Sequence, residues 1–237
     1  MNQGKLAGID NFDPGAWEKK IPRGCLLDRD ESILELCKGK RVLHLGAADY
    51  PFHTNAAQGT LLHQKISRVA DYLVGIDDNR EAVEYLRDNH GIDNIFHADA
   101  TNSSILSNER ISRGFDVLLC CDIIEHVENP GHLIESCKRL MDENTVLVIT
   151  TINATSIKAS LRALLGREAV HNDHVAYYSY STLCQLISRK SLLPTKAGFF
   201  FYGTRFWLTG FVFTLLGKIS PGIADGIILT CRKTSNG

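Results

Sequence analysis

The sequence has no excess of either charge: 26 lysines and arginines stand against 27 acids, for a net charge of −1. A protein that lives on a phosphate backbone usually carries a basic surplus, so nucleic acid is not expected as a partner. There is no C-x-x-C pair. The seven cysteines, Cys25, Cys37, Cys120, Cys121, Cys137, Cys184 and Cys231, are odd in number and scattered. That argues against a disulfide framework or a zinc knuckle and fits reduced thiols in a cytoplasmic protein. No run is long enough to span a membrane. The most apolar stretch, 206–216, is interrupted by Gly210 and falls short of the ~20 residues required. The first residues are polar and mixed in charge, unlike a secretory signal. Internal repeats and low-complexity tracts are missing. So is a G-x-G-x-x-G run after the first strand, which argues against a nicotinamide-dependent oxidoreductase.

What is present is ordinary globular material: 237 residues, 44% hydrophobic and 22% charged, enough apolar mass for a closed core. Short Val/Ile/Leu-rich runs at 41–45, 71–76, 94–97, 115–121 and 145–151 alternate with amphipathic helical patterns at 61–70, 80–89 and 130–141. A further helix at 181–191 and strands at 197–202 and 226–232 follow. Continuous apolar strands between helices mark a parallel sheet covered on both faces. The expected fold is α/β, a doubly wound, mostly parallel seven-stranded sheet with an antiparallel edge strand near the C-terminus. The expected organisation is one domain over 1–237. Cap helices would occupy 1–39, a cofactor-binding core 40–155, and substrate-side insertions with the last strands 156–237. Residues 51–59 read as a loop between the first turn and its helix.

In such sheets ligands lie beyond the carboxyl ends of the strands. Those ends are Gly46-Ala47-Ala48-Asp49, Asp77-Asp78, Asp99-Ala100 and Asp122-Ile123-Ile124-Glu125-His126. Gly46 and the small residues after it let a ligand approach exposed backbone amides. Asp77 stands where a carboxylate accepts from both hydroxyls of a ribose, with Asp78 as an alternate or as the helix cap. Asp99 stands where an acid could accept from an exocyclic amine.

Together these residues resemble the class I S-adenosylmethionine-dependent methyltransferases, and most closely the subgroup that includes ubiquinone-pathway O-methyltransferases. Arg41-Val-Leu-His-Leu-Gly-Ala47 is similar to the first-strand motif, Gly75-Ile-Asp77 to the ribose-binding acid, and Ala98-Asp99-Ala100 to the adenine-contacting turn. The block Phe115 to Val127 with Asn129, Pro130 and Leu133 resembles the subgroup's FDV…EHV…P…L pattern. Thr150 to Asn153 resembles its fifth-strand ending, and His174 to Leu183 its H-V-x-x-F/Y-S…L segment. The resemblance implies S-adenosylmethionine as cofactor. Asp77 would hold the ribose and Asp99 the adenine, with Asp78 and Ala100 beside them. Gly46, Ala47 and Ala48 would lie along the methionine portion, with Asp122 and Ile123 nearby. His126 or His174 would serve as base or acceptor-orienting group, with His171 a spare. Two departures stand out: His44 occupies a position usually acidic in the family, and Ala48 and Tyr50 positions usually glycine. They leave a second reading open, a methyltransferase-like partner or regulatory subunit that does not turn over.

Some members carry an acid-x-x-Glu-His pattern as metal ligands, and Asp122, Glu125 and His126 match it in part. No metal site is assigned from the sequence. A small-molecule acceptor is expected, methylated at oxygen. Lys158 and Arg162 on an amphipathic helix over 156–165 could meet an anionic group. The stretch 206–216 would cover the pocket, or touch a lipid-linked substrate or a membrane surface. Residues 12–23, with Trp17, would cap the cofactor side.

Overall fold

The computed structural model describes residues 5–10, 12–23, 26–102, 111, 114–202, 215–217 and 219–234. Of the apolar stretch 206–216, only Leu215 and Leu216 fall within them, and Cys25 lies outside. The chain runs β1 (Ala7–Gly8), β2 (Leu26–Leu27), α1 (Arg29–Cys37), β3 (Arg41–Leu45), α2 (Phe52–Gln58), α3 (Leu62–Ile66), β4 (Tyr72–Asp77), α4 (Arg80–His90) and β5 (Ile95–His97). It continues through β6 (Val117–Cys121), α5 (Pro130–Leu140), β7 (Val146–Ile152), α6 (Ile157–Leu164), α7 (Tyr180–Arg189), β8 (Leu192–Phe200) and β9 (Gly226–Lys233).

The sheet order is β1-β8-β9-β7-β6-β3-β4-β5, with β2 paired to β8. Strands β5, β4, β3, β6 and β7 are mutually parallel, and β9 runs antiparallel between β7 and β8. The doubly wound, mostly parallel sheet is as expected, and the chain order reverses between β3 and β6, beyond whose carboxyl ends a ligand crevice opens. The antiparallel C-terminal strand, β9, lies inside the sheet, third from the β1 edge. The antiparallel edge is β1, and two-residue strands β1 and β2 raise the expected seven strands to nine. Over 1–39, where cap helices were expected, the described residues hold one helix, α1, and those two short strands.

Both sheet faces are dry because the strand residues alternate between two cores. Leu43, Leu45, Leu118 and Cys120 point toward α5 and α7 and pack with Leu133, Cys137, Leu183 and Ile187. Val42, Val117, Leu119 and Cys121 point the other way, onto Ile33 and Cys37 of α1 and Leu62 and Ile66 of α3. The helix starts follow local chemistry: Asp28, Asn79, Asn129 and Ser179 each accept an orphan amide of the first turn. Asn79, not Asp78, therefore caps α4, leaving Asp78 exposed beside the crevice.

Residues 51–59, expected as a loop, form α2 and its C-terminal turn. Phe52 and Ala56, four apart, share a face and bury it with Ala47, Ala82, Val83 and Leu86. The surface helix α6 buries none of its residues, and Leu164 is 82% exposed. No helix among the described residues is long and apolar enough to cross a membrane.

His44, on β3, faces α3 and stacks on His63, with rings 11° from parallel and Nδ1 atoms 3.3 Å apart. Both are buried (0% and 1% exposed). Burial holds His63 down to about 4 and His44 well below the usual histidine value, with His63 adding to the effect at His44. Between pH 6.5 and 4 the unfolded chain takes up a proton at His63 and the folded chain does not, so stability present above 6.5 is lost as the pH falls. The loss across that window is on the order of 3 kcal/mol. Urea unfolding at pH 7.5 and pH 5 should therefore show a smaller drop for His63→Leu than for the parent chain. Equal drops would refute the neutral pair.

Candidate functional site

The carboxyl ends of β3, β4, β5 and β6 enclose a cleft of about 490 Å³. Its geometry starts at Gly46, whose φ of +66° turns the chain out of β3. A Cβ there would also stand 2.8 Å from Ile123, so glycine is required on both counts. Gly75 is needed for closeness alone: a Cβ would meet Ala47 at 2.8 Å and His63 at 2.7 Å.

Asp77 ends β4, and its carboxylate ties the loop after β3 in place. Oδ2 accepts the Ala48 amide at 2.8 Å, and Oδ1 accepts the Asn79 amide at 3.0 Å. Each oxygen keeps a second lone pair, and Asp77 still lines the cleft. Burial pushes its carboxyl up, and the Ala48 and Asn79 amides partly offset that. His44 belongs to the opposite face of β3, and Asp77 does the ordering.

On the next turn Asp99 is exposed, and its Oδ1 accepts from both the amide and the hydroxyl of Thr101 at 2.7 Å. Asp78, Ala98 and Ala100 complete that wall. Asp122 ends β6 with φ at 51°, a left-handed conformation that aspartate tolerates better than most residues. The backbone there is held by its side chain: Oδ1 accepts from Thr150 at 2.8 Å and Oδ2 from Arg29 at 2.7 Å.

Of the sequence-derived residues, Gly46, Ala48, Asp77, Asp78, Asp99, Ala100, Asp122, Ile123 and His126 line this one cleft. Ala47 does not. It is fully buried behind the wall, where its small side chain packs against Gly75. His174 is not on the wall either; its ring centroid lies 4.5 Å from that of His126. Residues 12–23 contribute nothing to the cleft. Trp17 is wholly exposed, and Phe12 packs edge-on to Tyr180. Lys158 is committed as well: it is ion-paired with Asp225 and lies 5.2 Å from the centre of the Phe201 ring.

Asp122, Glu125 and His126 do not form a shared ligand set. Glu125 is fully buried and accepts from the Thr151 hydroxyl at 2.8 Å, and burial raises it to about 7. Asp122 is spent on Arg29 and Thr150.

Arg29, Asp49 and Tyr202 are among the lining residues to which the sequence assigned no role. Arg29, at the start of α1, bridges Asp122 and Asp30, and Asp30 also pairs with Lys65 at 2.6 Å. Burial alone would lower its pKa, but Asp122 and its other neighbours reverse that, and the guanidinium stays charged. The only local hint was a base in a helix's first turn, where acids are favoured. Asp49 accepts the Leu62 amide at 3.3 Å, and burial raises it to about 6. Tyr202, from the segment after β8, lines the cleft, and its amide donates to Asp225 Oδ2 at 3.2 Å.

The family model described as "Methyltransferase domain" matches residues 12–191. The chain is 31% identical over 138 residues to a ubiquinone biosynthesis O-methyltransferase of Glaesserella parasuis, covering 56% of this chain and 53% of that one. It is likewise 31% identical over 137 residues to the enzyme of that name from Actinobacillus pleuropneumoniae, with the same coverage. The chain thus spans about half the length of these curated relatives. Among solved structures it is similar to a SAM-dependent methyltransferase from Archaeoglobus fulgidus (TM-score 0.56, 16% identity, 86% of this chain and 91% of that one). It is also similar to magnesium protoporphyrin IX methyltransferase from Synechocystis PCC 6803, solved with bound SAH (TM-score 0.55, 12% identity, 86% and 82%). These likenesses show the fold. With the family model matched over most of its length, this chain belongs to the methyltransferase domain family.

Proposed function

We propose that the chain is an S-adenosylmethionine-dependent methyltransferase that methylates a small molecule at oxygen. The observation that carries this is the Asp77 carboxylate, which braces the Ala48 amide while opening onto the cleft. It can brace the loop and accept from two ribose hydroxyls at once. Asp99, with Oδ1 bound to Thr101, offers Oδ2 to an exocyclic adenine amine. Asp49 and Arg29, of opposite charge, serve the ammonium and carboxylate of the methionine end. The cleft volume of about 490 Å³ falls in the ~300–1,000 Å³ range of small-molecule sites.

The cofactor supplies a methyl group on a positively charged sulfur. What the protein contributes is alignment of an acceptor lone pair with that methyl, in a site shielded from water. An acceptor hydroxyl must also lose its proton, and His126, which lines the cleft, would accept it while its ring nitrogen is not committed to a metal. The curated relatives, named O-methyltransferases, support oxygen as the atom methylated. Saccharides, lipid-linked precursors and secondary metabolites all have suitable hydroxyls.

Calorimetry with S-adenosylmethionine and S-adenosylhomocysteine should give one site per chain and no binding of NAD. Two hydrogen bonds to a carboxylate are worth about 3 kcal/mol together. Asp77→Ala and Asp77→Asn should therefore each weaken the adenosyl ligands at least ~100-fold, with the fold retained by circular dichroism. NAD binding, or undiminished affinity in both variants, would refute the reading. Arg29→Met should weaken S-adenosylmethionine while leaving adenosine affinity unchanged. An equal loss for both ligands would remove Arg29 from the methionine end.

A further inference from the structure

Three imidazoles meet at the rim of the cleft. His126 follows β6; His171 and His174 come from the segment between α6 and α7. A ring nitrogen from each lies within 4.8 Å of the other two. The ring centroids are 4.5 Å (126–174), 5.4 Å (171–174) and 5.7 Å (126–171) apart.

This proximity is enforced by the backbone. The amides of Val175 and Ala176 both donate to the carbonyl of Glu125, at 2.9 and 3.2 Å, which fixes His174 beside His126. The amide of His174 donates to the carbonyl of His171 at 3.1 Å, closing the turn that brings His171 back. His174 Nδ1 is buried yet has no hydrogen-bond partner. An orphaned polar atom of this kind is costly unless something binds it. The amide of Asp173 donates to His171 Nδ1 at 3.4 Å, which fixes the ring against its own turn.

We propose that His126, His171 and His174 hold one divalent transition ion, zinc-like in its preference for imidazole, at the rim of the cleft. The ligand set differs from an acid-x-x-Glu-His pattern, because Asp122 is held by Arg29 and Glu125 by Thr151. Loss of both carboxylates disfavours magnesium and calcium, which need oxygen ligands, and favours the ions that three neutral nitrogens suit. At Zn–N distances of ~2.0–2.1 Å, tetrahedral ligand atoms stand about 3.4 Å apart. The two exposed rings, His126 and His171, are the ones that would turn inward to close that gap. A three-histidine set leaves a fourth position open, and His126 lines the cleft. If the methyl-transfer reading holds, that position faces the acceptor. The ion site itself does not depend on that reading.

The test is metal binding, read without any turnover. Tag-free protein stripped with a chelator is titrated with Co²⁺, followed by its visible spectrum, and with Zn²⁺ against a chromophoric competitor. The expected result is one ion per chain, a four-coordinate Co²⁺ spectrum and no displacement by millimolar Mg²⁺. His171→Ala, His171→Asn and His174→Ala should each weaken Zn²⁺ by at least ~10-fold, and Glu125→Gln should leave it within about twofold. S-adenosylhomocysteine affinity and circular dichroism, unchanged in the His171 variants, would show the fold intact. The proposal is overturned by Zn²⁺ binding no tighter than in the triple alanine variant. It is equally overturned if Glu125→Gln abolishes binding while the His171 variants keep it.

Discussion

The site depends on one hydrogen bond: the Ala48 amide donating to the Asp77 carboxylate across the ends of β3 and β4. Adjacent parallel strands end side by side, so an acid at the end of one can reach the loop that follows the other. That bond fixes the path of the backbone after Gly46, while the remaining lone pairs of the carboxylate face the cleft. It needs an uncluttered strand crossing, which the small residues Gly75 and Ala47 supply. A buried carboxylate costs free energy unless hydrogen-bonded, and here two amides meet that need before any ligand arrives.

The opposite wall is fixed by charge. Arg29 joins α1 to the end of β6 through Asp122, and Asp30 extends the network to α3 through Lys65. Consecutive residues of β7 serve two acids: Thr150 holds Asp122, and Thr151 holds Glu125. The left-handed backbone at Asp122 is thereby held by its own side chain. Carboxylates that look like ligands in the sequence are spent on building the rim, and the histidines beside them are left as its free ligating groups.

The parts legible in the sequence were those governed by local pattern. Uninterrupted apolar runs placed β3, β4, β6 and β7 within a residue or two, and acids at strand ends marked Asp77, Asp78 and Asp99. What escaped depends on contacts distant in sequence. Arg29 meets Asp122 across 93 residues, and a lone arginine after a helix cap carries no motif. Strands of two residues, β1 and β2, have no period to detect. Helix α2 reads as a loop in the sequence because Pro51 and Gly59 bracket it and only Phe52 and Ala56 mark its buried face. His44 read as a defect in a loop motif; the alternation along β3 puts it on the other face, against His63. The meeting of His126, His171 and His174 arises from the Glu125 carbonyl, which no sequence pattern announces.

The most direct test of this account is a crystal structure with S-adenosylhomocysteine bound. Both ribose hydroxyls should lie within hydrogen-bonding distance of the Asp77 carboxylate, with the Ala48 amide still donating to it and the adenine on the Asp99 turn. A nucleoside bound elsewhere, or a ribose that leaves Asp77 untouched, would contradict it.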